Sequence, residues 1–89
     1  MPKMVITHGV VDVDAWLTFK AERAESIVAI GGRNAVDLPA QDGTKVVAVM
    51  ADVDDPASVM AALASPPAEV GAAMQRHGVL PPLTIYIER

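Results

Sequence analysis

The segment THGVVDVDAW, residues 7–16, gathers the side chains best suited to chemistry near the start of the chain. His8 is followed by Asp12, Asp14 and the single tryptophan, Trp16. An imidazole titrates near neutral pH and is the most versatile acid–base group in proteins. The two aspartates are two residues apart, so on a helix they point about 200° away from each other and cannot share a metal ion. We therefore expect the aspartates to cap a helix and His8 to be the candidate for chemistry.

Two interpretations of His8 are open. It falls on the same side of a predicted strand as Met4 and Ile6, so its side chain points into an apolar layer. There it is either a core histidine bonded to a carbonyl group or a general base in a pocket. The second histidine, His77, precedes Gly78 in the last turn of a predicted helix, where a cation complements the helix dipole. We interpret His77 as structural.

Metal-binding and nucleophile motifs are missing from the sequence. The chain has no cysteine and contains none of the spacings HxH, HExxH and HxxxH. No serine lies in the Gly-x-Ser-x-Gly context of a nucleophile elbow. The sequence therefore predicts no metal site and no cofactor.

Further side chains are candidates for lining a ligand pocket. Trp16 either fills the space between helix and sheet or stacks on a planar ligand. Arg23 either covers apolar surface with its stem or anchors a carboxylate or phenolate. The Tyr86 hydroxyl either binds backbone or donates to a ligand carbonyl. The predicted site consists of His8 and Tyr86 as catalytic residues and Trp16, Phe19, Arg23 and Met50 as ligand-binding residues.

The hydrophobic pattern predicts the order β-α-β-β-α-β. Strands are predicted at 5–10, 33–38, 45–51 and 83–88, a helix from 13 to the Gly31-Gly32 pair, and a second helix over 55–77 with a break at Ser65. Right-handed crossovers fold this order into a four-stranded antiparallel sheet with both helices on one face, the ferredoxin-like α+β arrangement.

The third predicted strand indicates that the other face of the sheet is covered. Residues 46–51, VVAVMA, are apolar on both sides of the strand, whereas a sheet with one face in water alternates apolar and polar residues. A second copy of the chain is the simplest cover, and we expect a homodimer. A lipophilic pocket or a short apolar patch left in water is the alternative.

Size, charge and composition exclude several classes of protein. Residues 1–89 suffice for one domain. A net charge of -4 and only 3% aromatic residues argue against nucleic-acid binding, which needs a basic surface and stacking rings. The scattered basic residues and the short apolar runs argue against a membrane surface, a signal peptide and a membrane span. We expect a soluble cytoplasmic protein.

Five short motifs follow one another along nearly the whole chain: H-x-V-x-D-x-D-A-W at 8–16, A-S-P at 64–66, A-M-Q at 73–75, G-V at 78–79 and P-P at 81–82. In this order they resemble the motifs of the dimeric α+β-barrel superfamily. This superfamily includes the antibiotic-biosynthesis monooxygenases, polyketide cyclases, muconolactone isomerases and stress-responsive barrels. The chain departs from such relatives by having Ala21, Glu22 and Arg23 where they commonly carry an acidic residue and a histidine, and Leu80 where they tend to have glycine.

The resemblance implies a small-molecule pocket and leaves two functions open. The first is a cofactor-independent monooxygenase, cyclase or isomerase acting on a hydroxyaromatic or polyketide-like compound. In it His8 is the general base and Tyr86 the donor to a developing enolate oxygen. The second is a non-catalytic dimeric binding or interaction scaffold, which the sparse chemistry favours. An enzyme should have a convergent pocket containing His8 or Tyr86, whereas a scaffold should fill that space with Val, Ile and Met side chains.

Overall fold

The computed structural model describes residues 1–89 as a four-stranded sheet with four helices. No helix is long and apolar enough to cross a membrane, and the longest has 10 residues. The elements are β1 (Lys3–Val10), α1 (Val13–Leu17), α2 (Lys20–Ala29), β2 (Gly32–Pro39), β3 (Val46–Val53), α3 (Pro56–Ala64), α4 (Ala68–Arg76) and β4 (Val79–Ile87).

The sheet has the strand order β2-β3-β1-β4, and every neighbouring pair is antiparallel. The ferredoxin-like fold predicted from the sequence is confirmed. The alternating side chains of β1 and β3 build the core, because one side of each strand faces the helices and is buried. The core cluster consists of Met4, Ile6, Val10, Trp16, Ile27, Ile30, Val47, Val49, Ala51, Val53, Val59 and Val70.

The first predicted helix is two helices in the structure. Asp12 caps α1 by accepting a hydrogen bond from the Ala15 backbone nitrogen at 3.1 Å, as predicted, whereas Asp14 lies within the first turn. The Thr18 hydroxyl donates to the Ala15 carbonyl at 2.6 Å, and Phe19 leaves the helical conformation before α2 begins. A side chain that bonds back to the preceding turn competes with the helical ladder, which accounts for the break.

The last strand begins four residues earlier than predicted. It starts at Val79 and runs through Pro81 and Pro82, which have no N–H to donate. Prolines are tolerated here because β4 is an edge strand. The β1–β4 register also shifts between Thr7 and Gly9.

Alanine substitutions at two glycines should change the free energy of unfolding in opposite directions. A Cβ on Gly32 would lie 2.7 Å from the Cγ2 atom of Ile27, a buried core residue, whereas a Cβ on Gly71 within α4 meets no atom within 4 Å. Gly32→Ala should lower the free energy of unfolding by about 1–3 kcal/mol through overpacking. Gly71→Ala should raise it by about 0.5–1 kcal/mol, because glycine weakens a helix interior. Urea titration of both variants tests the close approach of β2 to α2; a harmless Gly32→Ala would contradict it.

Candidate functional site

A cavity of about 60 Å³ lies between the helix-facing side of the sheet and the helices. Eleven of its 15 lining residues are hydrophobic, and the four others are His8, Arg23, Ser26 and His77. The indole of Trp16 completes the wall between His8 and Arg23. The cavity is therefore apolar with a few convergent polar groups, which is the composition of a ligand site.

The ring of His8 is buried and its tautomer follows from its hydrogen bond. Nδ1 lies 2.8 Å from the carbonyl oxygen of Gly9. A carbonyl only accepts, so Nδ1 carries the proton and Nε2 has a free lone pair. Burial is the main cause that lowers the pKa of His8, and Arg23 adds to it. His8 is thus a neutral imidazole near neutral pH, with its acceptor nitrogen in a ring that lines the cavity.

Trp16 lies between His8 and Arg23 in the cavity wall. Its ring meets His8 edge-on at a centroid distance of 6.2 Å, and the Cζ atom of Arg23 lies 3.8 Å from its ring centroid. The second contact is a cation–π interaction. The indole Nε1 is buried and has no hydrogen-bond partner.

Arg23 is fixed by hydrogen bonds inside the protein. Its Nε donates to Asp37 Oδ1 at 3.2 Å, and both Nη atoms donate to the carbonyl oxygen of Trp16. The side chains of Arg23 and Asp37 are only 7% and 5% exposed. Burial lowers the pKa of Arg23, and Asp37 opposes this shift. A guanidinium remains charged under these conditions, so the cavity has a positively charged wall.

His77 caps the C-terminal end of α4, as the sequence indicated, but it is buried in the cavity wall. Its ring stacks on Phe19 with centroids 4.5 Å apart and an interplanar angle of 18°. Burial is the main cause that lowers its pKa, although Glu22 favours the protonated form.

Both histidines should make the protein less stable in mild acid. The pKa of each lies below the ordinary value of 6.5. As the pH falls below 6.5, the unfolded chain takes up a proton that the folded chain does not bind, so the free energy of unfolding decreases until the pH reaches the folded-state pKa. His8→Asn and His77→Asn should each lower, by up to one, the number of protons that the chain takes up on unfolding. The free energy of unfolding should therefore fall less steeply as the pH decreases. Urea titrations between about pH 7.5 and 5.5 measure it; an unchanged slope in both variants would contradict the burial of neutral imidazoles.

The structure brings three of the six predicted site residues together. His8, Trp16 and Arg23 line the cavity, and Phe19 lies behind its wall against His77. Their functional roles stay predictions. No group of three or more His, Asp or Glu side chains is placed to hold a metal ion.

The predicted placement of Tyr86 and Met50 in this pocket needs correction. Both residues pair with Val5, whose side chain points away from the helices. Directly paired residues point to the same side of a sheet, so Tyr86 and Met50 lie on the face opposite His8. Tyr86 is 57% exposed there. Within one chain neither residue can act on a molecule in the cavity.

Two residues of this region were not predicted as part of it. Asp37 is an acidic residue on the helix-facing side of β2, and it pairs with the buried Arg23. The signal in the sequence is a lone acid within the apolar run AVDLP, residues 35–39. His77 was interpreted only as a helix end, and nothing in its neighbourhood along the chain indicates that it reaches the cavity.

Comparison with known proteins establishes the fold. The sequence matches no protein-family model, and it matches no curated protein. Among solved structures, a variant of SnoaB from Streptomyces nogalater, a cofactor-independent oxygenase, aligns with a TM-score of 0.65 and 19% identity, over 99% of this chain and 92% of that one. An antibiotic biosynthesis monooxygenase aligns with a TM-score of 0.65 and 11% identity, over 100% and 97% of the two chains.

A third similar structure is a dimeric ferredoxin-like protein from an uncultured marine organism, with a TM-score of 0.60 and 6% identity over 100% of this chain and 93% of that one. These likenesses show that the chain shares its ferredoxin-like fold with these proteins. At these identities the activity has to be argued from the side chains of the cavity.

Proposed function

We propose that the protein binds a small hydroxyaromatic compound in the cavity and that His8 removes its hydroxyl proton. The observation that carries this proposal is the Nδ1 bond of His8 to the Gly9 carbonyl, which leaves Nε2 as a free acceptor in a cavity-lining residue. A neutral imidazole in that state is a general base.

Arg23 supports the same assignment through its charge. A phenolate or enolate that forms beside it is stabilised electrostatically, because the surroundings are apolar and the guanidinium is held by Asp37 and Trp16. This stabilisation compensates for the lowered basicity of a buried histidine. Trp16 offers a flat apolar wall for an aromatic ring.

The reaction that fits this arrangement is cofactor-independent oxygenation. Removal of the hydroxyl proton by His8 gives a delocalised anion with carbanion character at a ring C–H carbon conjugated with the oxygen. Dioxygen adds to this carbon, and the peroxide that forms takes up the proton. Loss of water then leaves C=O at this carbon, so that one oxygen atom stays in the product and the other leaves in water. The similarity in fold to SnoaB, a cofactor-independent oxygenase, supports this class of reaction over a cyclase or isomerase.

A non-catalytic scaffold is the second candidate, and the size of the cavity favours it. About 60 Å³ is small beside the roughly 300–1,000 Å³ of typical ligand pockets. Leu63, Val70 and Met74 occupy part of the wall and would have to move for a ligand of more than one ring.

We also propose that two chains associate through the outer face of the sheet. This face exposes Val36, Leu38, Val46, Leu80 and Tyr86, and a protein of similar fold is dimeric. Sedimentation should give a dimer for the wild type and a monomer for Met50→Glu, whose side chain lies on this face. Val28→Glu, on the opposite side of the molecule and 63% exposed, is the control and should remain dimeric. A dimeric Met50→Glu variant would contradict this interface.

A thermal-shift screen tests the proposed ligand class. Hydroxyaromatic, lactone and fatty-acyl compounds are compared on the wild type, His8→Asn and Tyr86→Phe. The asparagine amide keeps a donor for the Gly9 carbonyl but removes the base. A ligand at about 100 times its Kd adds roughly 2.7 kcal/mol of stability. We expect hydroxyaromatics to stabilise the wild type and Tyr86→Phe, and His8→Asn much less. No stabilisation by any compound would favour the scaffold.

A further inference from the structure

His77 is a second titratable group of the cavity, and the proposed reaction does not use it. Its Nε2 atom is buried without a hydrogen-bond partner and lies 3.4 Å from Glu22 Oε1. The His77 side chain is 4% exposed and the Glu22 side chain 36% exposed. The pair therefore joins a buried imidazole to a carboxylate that reaches solvent.

Glu22 stands on the other side of the cavity wall. It lines a polar cleft between α2 and α4, together with Glu25, Glu69 and Arg76. Three residues, Ser26, Val70 and Ala73, line both the cavity and this cleft. The wall between the two spaces is thus one layer of small and medium side chains, and the contact of His77 with Glu22 is a polar connection across it.

The charges around His77 suit a group that takes up and releases a proton. Burial, Arg23 and Arg76 lower its pKa, whereas Glu22 raises it. His8 is the other histidine of the same cavity. The hydrogen bond from Arg76 lowers the pKa of Glu22, so the carboxylate is ionised at neutral pH. An ionised carboxylate stabilises the protonated form of a neighbouring imidazole, so Glu22 favours proton uptake by His77.

We propose that His77 is the second proton-transfer residue of the cavity and that Glu22 connects it with the solvent of the α2–α4 cleft. Its part in a reaction rests on the proposed function: His8 takes the hydroxyl proton, and His77 exchanges a proton between the cavity and the cleft. Glu22 is a positioning residue that acts through His77. The connection itself belongs to the folded protein and is measurable without a ligand.

Nuclear magnetic resonance of the imidazole groups tests the connection, since the chain has only two histidines and each is assigned by one substitution. Glu22→Gln should lower the midpoint of the His77 titration by about half a pH unit or more. It should also slow proton exchange between His77 and water by about tenfold. Glu25→Gln, on the same helix and in the same cleft, should change neither quantity. An unchanged His77 in Glu22→Gln, or an equal change in Glu25→Gln, overturns the proposal.

The addition of 4-nitrophenol to the same samples separates this inference from the proposed function. The inference predicts that the probe shifts the resonances of both histidines. A shift of His8 alone leaves the proposed function standing and overturns the role of His77. If neither histidine responds, the proposed function fails, whereas a coupled titration of His77 and Glu22 in the free protein still supports the connection.

Discussion

Asp37→Leu should lower the free energy of unfolding by about 3–5 kcal/mol, because it leaves the Arg23 guanidinium buried without its carboxylate partner. Both side chains are almost completely buried, so water cannot replace the lost partner. Arg23→Met should be costly for the same reason, since it leaves the Asp37 carboxylate unpaired. Urea unfolding followed by circular dichroism measures both variants.

The double variant and a surface pair are the controls for this result. Arg23→Met combined with Asp37→Leu removes both charges and should recover most of the loss. Asp54→Ala, which breaks the exposed pair between Arg33 and Asp54 with side chains 52% and 66% exposed, should cost less than about 1 kcal/mol. Equal costs for Asp37→Leu and Asp54→Ala would mean that the Arg23 pair is solvated in the folded protein.

Trp16→Ala should also lower the free energy of unfolding by about 3–5 kcal/mol. Its side chain is fully buried, and its ring contacts both His8 and Arg23. Trp16→Phe should cost much less, because it keeps an aromatic ring against Arg23 and removes the indole N–H, which has no partner. Circular dichroism is the suitable probe, since Trp16 is the only tryptophan.

Leu17→Ala is the matched control on the same helix. Leu17 is 36% exposed, so Leu17→Ala should lower the free energy of unfolding by about 1 kcal/mol or less. If Trp16→Ala were no more destabilising than Leu17→Ala, the indole would not be a structural wall of the cavity.

The fold follows from local patterns that the sequence shows directly. The alternation along β1 and β3, the cap at Asp55 and the glycines after α2 place each element within a few residues. The break at Thr18 was missed because helical spacing continues on both sides of it. The early start of β4 was missed because two prolines are unfavourable in a strand unless that strand lies at an edge.

The site was only partly predictable, because alternation separates the two faces of a strand without saying which one meets the helices. Met4 and Ile6 identified the face of His8 correctly. In β3 and β4 both faces carry apolar residues, and nothing in the sequence favours Val49 over Met50 as the residue that faces the helices. The stacking of His77 and the Arg23–Asp37 pair depend on how α2 lies against α4 and β2, which is a matter of tertiary structure.

The central claim is that Nε2 of His8 accepts a proton from a hydroxyaromatic ligand in the cavity. The most direct test is to measure whether a phenol ionises when it binds. The visible absorption of 4-nitrophenol reports its phenolate, and the measurement is made at a pH where the free probe is mostly protonated. The account predicts that the wild type and Tyr86→Phe raise the phenolate band on binding and that His8→Asn does not. A band that stays unchanged with the wild type, or rises equally with His8→Asn, would contradict it.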